Sequence, residues 1–197
     1  MLTGILGGVP VITAVLGDIT KQDVDAIINA ANNAMRGGGG VHGAVHRGGG
    51  PAILRDCIER FANGLATGDA GWTTAVDLPA QWVIHTVGPN YNAGQRDRSL
   101  LKSCYRRALE VADELGARSV AFPLISTGVY GWPRRDAIAA AIETIAAADT
   151  RVEAARLVAF EPEAHEEVRA QLTSSNSHRG TGIKYGSSDS SVGWLLM

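Results

Sequence analysis

The stretch AIINAANNAMRGGGGVHGAVHRGGG occupies residues 26–50 and places four adjacent glycines after a short, largely apolar run. The run at residues 26–30 has the length and composition of a strand buried on both faces of a sheet. Adjacent glycines cost backbone entropy, so they indicate positive φ angles or the close approach of a ligand. Exposed N–H groups in such a loop can hold an oxyanion, and a helix that begins near Gly40 would add a favourable dipole. The stretch therefore predicts a strand, a phosphate-binding loop and a helix, and the alternative is a flexible surface connection.

Two common nucleotide-binding motifs fit this stretch poorly. Gly38, Gly40 and Gly43 satisfy the pattern G-x-G-x-x-G. In dinucleotide-binding folds, however, the glycines follow the strand directly and an acidic residue comes about 20 positions later. Here the residues NAANNAMR intervene, and no lysine followed by serine or threonine comes after the glycines, as a P-loop requires. Neither motif explains the loop.

Strands and helices alternate along most of the chain. The predicted strands are residues 11–16, 26–30, 70–78, 81–87, 119–125 and 155–160, with Pro79 in the turn of an antiparallel or mixed pair. One helix is predicted from the cap Asp97 to the closing Gly116, and another from the first-turn Pro133. Two more are predicted at residues 51–62 and 161–172. This alternation predicts an α/β layered fold with a mixed sheet that helices cover on both faces.

Length and charge narrow the class of protein. The chain has 197 residues, with 18 basic and 20 acidic side chains and no long run of one sign. This balance argues against duplex DNA, RNA or an anionic membrane as a partner. No apolar run approaches the roughly 20 residues of a membrane span, and the first residues lack a secretory leader. Cys57 and Cys104 fall in helical patterns and are predicted to be buried, reduced thiols, so we expect a cytoplasmic location.

The composition changes after Leu172. The segment TSSNSHRGTGIKYGSSDSSVGWLLM is rich in serine and glycine and has no usable periodicity. We therefore predict one domain over residues 1–173 and a flexible tail over residues 174–197.

A second loop has the character of the glycine loop. LISTGVYGW, residues 124–132, follows a predicted strand and precedes a helix, and it offers hydroxyl groups, backbone donors and two aromatic faces. Ligands of open α/β sheets lie at the carboxyl ends of strands, and both loops leave such ends. The two loops together predict a clamped diphosphate. Asp18, after the first strand, adds a carboxylate that could accept from an exocyclic amine, or could be a simple turn residue.

Five separated motifs resemble those of macrodomains. VLGDIT, VDAIINAAN, GGGGVHGAVHR, LPAQWVIHTVGP and FPLISTGVYGWP occur in the order and spacing of that family. They are most similar to the MacroD-type ADP-ribosyl hydrolases and O-acetyl-ADP-ribose deacetylases. The resemblance implies a three-layer α/β/α fold with a central mixed sheet of about six strands. It also implies a site for ADP-ribose or an ADP-ribosylated protein, with no cofactor.

The resemblance further implies roles for individual residues. Asp18 would accept from the adenine amine, Ile19 would contact the ring through its backbone, and Asn32 would serve as a catalytic residue on the distal ribose. The diphosphate would lie between Gly39, Gly40 and Val41 on one side and Ser126, Thr127, Gly128, Val129 and Tyr130 on the other. Tyr130 would also shield the distal ribose.

His42 departs from the family pattern. Hydrolytic members have an aspartate directly after the GGGGV segment, where it orients or deprotonates the attacking water. A neutral imidazole with an ordinary pKa of about 6.5 is suited to proton transfer near neutral pH, so His42 is the candidate base. A nearby phosphate would instead favour imidazolium, which only donates, and His42 would then be a ligand contact. His46 shares a helix face with His42, but no third ligand is evident, so we predict no metal site and structural roles for His46 and His85.

Two functions therefore remain open. The first is a hydrolase that removes ADP-ribose from acidic side chains or deacylates O-acetyl-ADP-ribose, with Asn32 and the substrate's diphosphate orienting the water. The second is a reader module that binds ADP-ribose without turning it over, because His42 stands where the aspartate is expected. A nucleic-acid-binding function has little support from the charge, except for ADP-ribosylated ends.

Overall fold

A computed structural model describes residues 8–178 of the chain. The strands are β1 (Val11–Leu16), β2 (Ala26–Ala31), β3 (Ala70–Thr74), β4 (Trp82–Val87), β5 (Ser119–Phe122) and β6 (Ala154–Ala159). The helices are α1 (Gly40–Gly49), α2 (Pro51–Arg60), α3 (Arg98–Leu115), α4 (Arg134–Ala146) and α5 (Pro162–His178). Two one-turn 3-10 helices lie at Ile19–Lys21 and Tyr91–Ala93.

All six strands form one mixed sheet in the order β1-β6-β5-β2-β4-β3. The neighbours from β1 to β4 are parallel, and β3 pairs antiparallel with β4 at the edge. Short parallel strands buried on both faces need nearly continuous apolar sequence, which is why β2 and β4 show little polar alternation.

The sheet separates two hydrophobic cores. Consecutive residues of one strand point to opposite faces, so Ile28 packs in the core under α3, α4 and α5 while Ile27 packs in the core under α1 and α2. Phe122 and Ala121 divide in the same way on β5. The molecule therefore has three layers, with α3, α4 and α5 on one face and α1 and α2 on the other. This confirms the predicted α/β/α fold with its mixed sheet of six strands.

Most predicted boundaries hold within a few residues. The helix α3 begins after Asp97, whose carboxylate accepts from Ser99 N, and ends at a left-handed Gly116 as predicted. Pro133 lies just outside α4 as its N-cap rather than in the first turn, a shift of one residue. Cys57 and Cys104 are both buried and free. Among the described residues, no helix is long and apolar enough to cross a membrane.

The last helix is longer than expected. We placed the start of the tail at residue 174, whereas α5 continues to His178. Serine hydroxyls accommodate this extension by bonding back along the helix, as Ser175 Oγ does to the Gln171 carbonyl at 2.8 Å. The rest of the predicted tail, residues 179–197, lies outside the described residues.

Candidate functional site

The predicted site residues come together at one edge of the sheet. Because β1, β6, β5 and β2 are adjacent and parallel, their carboxyl ends form a continuous rim. Asp18 follows β1, Phe160 follows β6, the second loop follows β5 and Asn32 follows β2. A ligand that spans the rim would meet these groups in that order.

The glycine loop, residues 37–40, leads into the N-terminus of α1. Gly37 and Gly40 have φ angles of 92° and 57°, where other residues are strained. Gly39 has an ordinary φ of −93°, and a Cβ built on it would meet nothing within 4 Å. Positive φ therefore explains two of the four glycines, while open space lies in front of Gly39. The first N–H groups of a helix lack partners within the helix, so this space suits an oxyanion.

The second loop is the neighbour of the glycine loop along the rim. Its Ser126 adopts a φ of 67°, and its Oγ is buried without a hydrogen-bond partner among residues 8–178. Val129 at the tip is 88% exposed. Asn92 holds this loop from the segment after β4, because its Nδ2 donates to the Val129 carbonyl at 3.2 Å and its N–H to the Tyr130 carbonyl at 3.1 Å. The loop therefore has a fixed backbone and an exposed tip.

The far end of the rim combines an acceptor with an aromatic face. Asp18 caps the turn after β1, and its Oδ1 accepts from Thr20 N at 2.8 Å and Thr20 Oγ1 at 2.7 Å. Its Oδ2 has no hydrogen-bond partner in the described part of the chain, so the turn role and a ligand role are compatible. Gly17 N donates to the Ala159 carbonyl at 2.9 Å, which brings Phe160 close to this turn. Phe160 is 82% exposed, and such a ring beside a carboxylate suits a flat base with an exocyclic amine.

Sequence comparison identifies the family of this chain. A model described as Macro domain matches residues 28–141. The chain is 56% identical to a Macro domain-containing protein of Streptomyces coelicolor over 165 residues. The matched region covers 82% of this chain and 98% of that protein. The chain belongs to the Macro domain family. This confirms the predicted membership.

Other relatives of this macrodomain have more specific names. It is 46% identical over 158 residues to the O-acetyl-ADP-ribose deacetylase 1 of Pantoea vagans, with 77% of this chain and 92% of that protein covered. A solved structure of the Oceanobacillus iheyensis macrodomain with ADP matches with a TM-score of 0.78 and 39% identity over 82% of this chain and 89% of that chain. Three other structures of that protein carry a replaced asparagine, a replaced aspartate, or a glycine replaced by valine, the last with ADP-ribose.

Asn32 of this macrodomain lies directly after β2, half-buried at the rim. Its Oδ1 accepts from Met35 N at 3.1 Å, and its Nδ2 donates to the Gly37 carbonyl at 2.8 Å. The amide therefore holds the start of the glycine loop and keeps one hydrogen and one lone pair for a ligand. Its contact with a ribose and its catalytic role both stay predictions.

The side chain of His42 is buried rather than exposed at the rim, where a water-activating base is needed. It is 4% exposed and turns under α1, where Nδ1 lies 2.7 Å from Asn29 Nδ2. The pKa of His42 is lowered to about 4, mainly because the ring is buried and also because His46 lies nearby, while the Gly37 backbone acts in the opposite direction. A base of such low pKa with its lone pair engaged is poorly suited to accept a proton from water. The structure therefore argues against the base role that we assigned to His42.

The neighbouring histidines belong to the same buried layer. His85 on β4 faces Asn29 across the β2–β4 pairing, is fully buried as expected, and has its pKa lowered to about 3 by burial. His46 packs edge-on against His42 with ring centroids 4.5 Å apart. Within residues 8–178, no group of three or more His, Cys, Asp or Glu side chains is placed to hold a metal ion. His42 and His85 are therefore buried polar residues of the core, with the partly buried His46 packed against His42.

Two residues at the rim were missed by the sequence analysis. Phe160 ended a predicted strand and was counted as one more apolar residue, although its position at the strand's carboxyl end beside Glu161 was a signal for exposure. Asn92 lies in a turn-rich segment, PNYNAGQ, which gave no signal that it would hold the second loop.

Proposed function

We propose that this macrodomain binds ADP-ribose along the rim of its sheet. The adenine lies between Asp18 and Phe160, the diphosphate between Gly39 and the second loop, and the distal ribose beside Asn32. The open space in front of Gly39, at the N-terminus of α1, carries this proposal because it is the place where the fold can hold a phosphate without a basic side chain.

Structures of relatives support the same ligand class. The Oceanobacillus iheyensis macrodomain has been solved with ADP and, in a glycine variant, with ADP-ribose. In this chain Asn32, Gly39 and His42 follow one another with the same spacing as the asparagine, glycine and aspartate that were replaced in that protein. The asparagine and the glycine thus have counterparts at the same spacing, and His42 stands at the spacing of the aspartate. An ADP-ribosylated protein would present the same group, with its side chain leaving the cleft beyond Asn32.

Hydrolysis of an acyl-linked ADP-ribose is the second candidate, favoured by the relative named O-acetyl-ADP-ribose deacetylase 1. On a glutamate-linked substrate, water attacks the anomeric carbon, the carbon–oxygen bond to the side chain breaks, and a carboxylate leaves. A carboxylate needs no proton donor in order to leave. The proton of the water passes to a diphosphate oxygen and then to solvent. Asn32 aligns the ribose, and such positioning alone can contribute several kcal/mol. For O-acetyl-ADP-ribose, water attacks the acyl carbon and the ribose oxygen leaves with a proton.

Calorimetry with ADP-ribose tests the binding proposal. The unaltered chain should bind with an affinity that falls in Asn32→Ala, and absence of binding would overturn the proposal. A single-turnover assay on glutamate-linked ADP-ribosyl protein, and the same assay with O-acetyl-ADP-ribose, tests hydrolysis. Release that depends on Asn32 would establish a hydrolase, whereas tight binding without release would make this macrodomain a reader. The cytoplasmic location and the recognition of ADP-ribosylated nucleic-acid ends stay predictions.

A further inference from the structure

The tip of the second loop is a four-residue turn, residues 128–131. The Gly131 N–H donates to the Gly128 carbonyl at 2.9 Å, and Gly131 has a φ of 68°. Val129 is 88% exposed, so burial of this side chain does not hold the tip. The conformation of the turn therefore depends on the contacts of its backbone.

Asn92 makes contacts with both carbonyl groups at the tip. Its Nδ2 donates to the Val129 carbonyl at 3.2 Å, and its own N–H donates to the Tyr130 carbonyl at 3.1 Å. A Cβ built on Gly131 would lie 2.5 Å from Oδ1 and 2.6 Å from Cγ of Asn92. Glycine at residue 131 is therefore needed for this close approach of the Asn92 amide.

The segment that carries Asn92 is held independently of the tip. It is the 3-10 helix Tyr91–Ala93, whose N-cap Asn90 accepts through Oδ1 from the N–H of its last residue at 3.2 Å. The ring of Tyr91 packs edge-on against Trp132, with ring centroids 5.2 Å apart. Asn92 therefore reaches the tip from a structured turn.

The hydrogen bond from Asn92 Nδ2 sets the direction of the peptide group between Val129 and Tyr130. In a trans peptide the carbonyl and the N–H point in opposite directions, and no peptide bond of the described residues is cis. Because the Val129 carbonyl points to Asn92, the Tyr130 N–H points away from it. The N–H groups of residues 128–130 have no hydrogen-bond partner in the part of the chain that the structure describes. Successive free N–H groups in a turn suit an anion.

We propose that Asn92 is a positioning residue for the bound ligand. Its side chain fixes the peptide between Val129 and Tyr130 with the carbonyl toward Asn92 and the N–H toward the diphosphate. Without the Nδ2 donor this peptide can rotate, and a carbonyl oxygen turned toward the diphosphate repels it. The inference rests on the proposed binding of ADP-ribose and adds to that site a residue outside its two loops.

Binding measurements test this role with Asn92→Ala, which removes the side-chain donor and keeps the backbone bond to Tyr130. We expect the dissociation constants for ADP and ADP-ribose to rise by about 2- to 10-fold, as for the loss of one neutral hydrogen bond. Adenosine, which has no phosphate, should bind this variant and the unaltered chain equally in an NMR titration. An equal loss for all three ligands would show a merely structural role and refute the inference.

Gln171→Ala is the matched control. Gln171 lies on α5, and its Nε2 also donates to a backbone carbonyl, that of Arg135, at 3.0 Å. The variant removes the same kind of hydrogen bond outside the rim. We expect its affinities for ADP and ADP-ribose to remain as in the unaltered chain, and losses as large as those of Asn92→Ala would contradict the inference.

Gly131→Ala tests the contact between the two residues. The new Cβ would displace the amide of Asn92, so this change should weaken the binding of ADP-ribose to the otherwise unaltered chain. In the Asn92→Ala background the amide is already gone, and the further loss should be smaller. Fully additive losses in this double-mutant cycle would mean that the two residues act independently, against the inference.

Nitrogen-15 NMR reports on the peptide itself. We expect saturation with ADP to shift the amide signal of Tyr130 in the unaltered chain, and to shift it less in Asn92→Ala. The inference is overturned if ADP binds without shifting this signal, or if Asn92→Ala binds ADP as tightly as the unaltered chain. If the unaltered chain binds neither ADP nor ADP-ribose, the proposed function is wrong and this inference fails with it.

Discussion

Phe160→Ala separates ligand stacking from stability. Only about a fifth of this side chain is covered by protein, about 40 Å² for an aromatic residue, since 82% of it is exposed. At about 25 cal/mol per Å², truncation should lower the free energy of unfolding by no more than about 1 kcal/mol. Stacking of a base on an aromatic ring contributes about 1–3 kcal/mol. The dissociation constant for ADP-ribose should therefore rise by about 5- to 150-fold.

Calorimetry and thermal unfolding together check this prediction. Ile58→Ala, which truncates a 46% exposed side chain on α2 away from the rim, should leave the affinity unchanged. Phe160→Trp should retain it. A ligand with the diphosphate and ribose but no adenine should bind the Phe160→Ala variant and the unaltered chain equally. An unchanged affinity for ADP-ribose in Phe160→Ala would refute the placement of the adenine beside this ring.

Three further predictions concern the core beneath α1. Asn29→Ala should lower the free energy of unfolding by about 2–6 kcal/mol, because two buried imidazole acceptors lose their donor. Urea unfolding checks this, with Asn33→Ala at an exposed position as the control, for which we expect a much smaller loss. Gly43→Ala should weaken ADP-ribose binding because its Cβ would lie 2.5 Å from the Gly38 carbonyl oxygen. In Gly48→Ala on the same helix, the one tight contact is with the terminal methyl group of the Leu78 side chain. Equal affinities of the two variants by calorimetry would contradict this prediction. The folded pKa values of His42 and His85 are lowered to about 4 and about 3, so both rings must gain a proton more readily in the unfolded chain. The free energy of unfolding should therefore be constant above about pH 6.5, the pKa of unfolded histidine. Between that pH and about pH 4 it should fall by up to about 1.4 kcal/mol per pH unit for each of the two histidines. A flat urea-unfolding profile between those pH values would be inconsistent with neutral buried rings.

The elements of this fold could be predicted because local signals and burial agree. The strand at residues 11–16 was predicted with its observed bounds. A short apolar run between polar turns is typical of a strand buried in a sheet that helices cover, and the turns mark its ends. Asp97 and Gly116 marked both ends of α3 by cap chemistry alone. The extension of α5 was missed because serine composition is a weak guide when side chains can bond back to the helix.

Side-chain direction was harder to predict than position. The motif spacing placed His42 at the start of α1, next to the glycine loop. Whether its ring turns outward to the cleft or inward to the sheet depends on Asn29 and His85, which face each other only through the β2–β4 register. Phe160 shows the opposite case, an apolar residue that remains exposed because the strand ends one residue earlier. Both outcomes follow from tertiary contacts that a single sequence does not contain.

The same contacts limit how this macrodomain could carry out hydrolysis. A neutral imidazole has one lone pair, and that of His42 is already engaged by the amide of Asn29. Using it as a base would leave the Asn29 donor unpaired inside the core, at a cost of about 1–3 kcal/mol for each turnover. In the proposed binding mode, a diphosphate oxygen of the substrate would have no such cost, since the ligand would bring it into the open space in front of Gly39. Any hydrolysis by this chain should therefore depend on the substrate for its proton acceptor, and its rate should show no histidine inflection near pH 6.5.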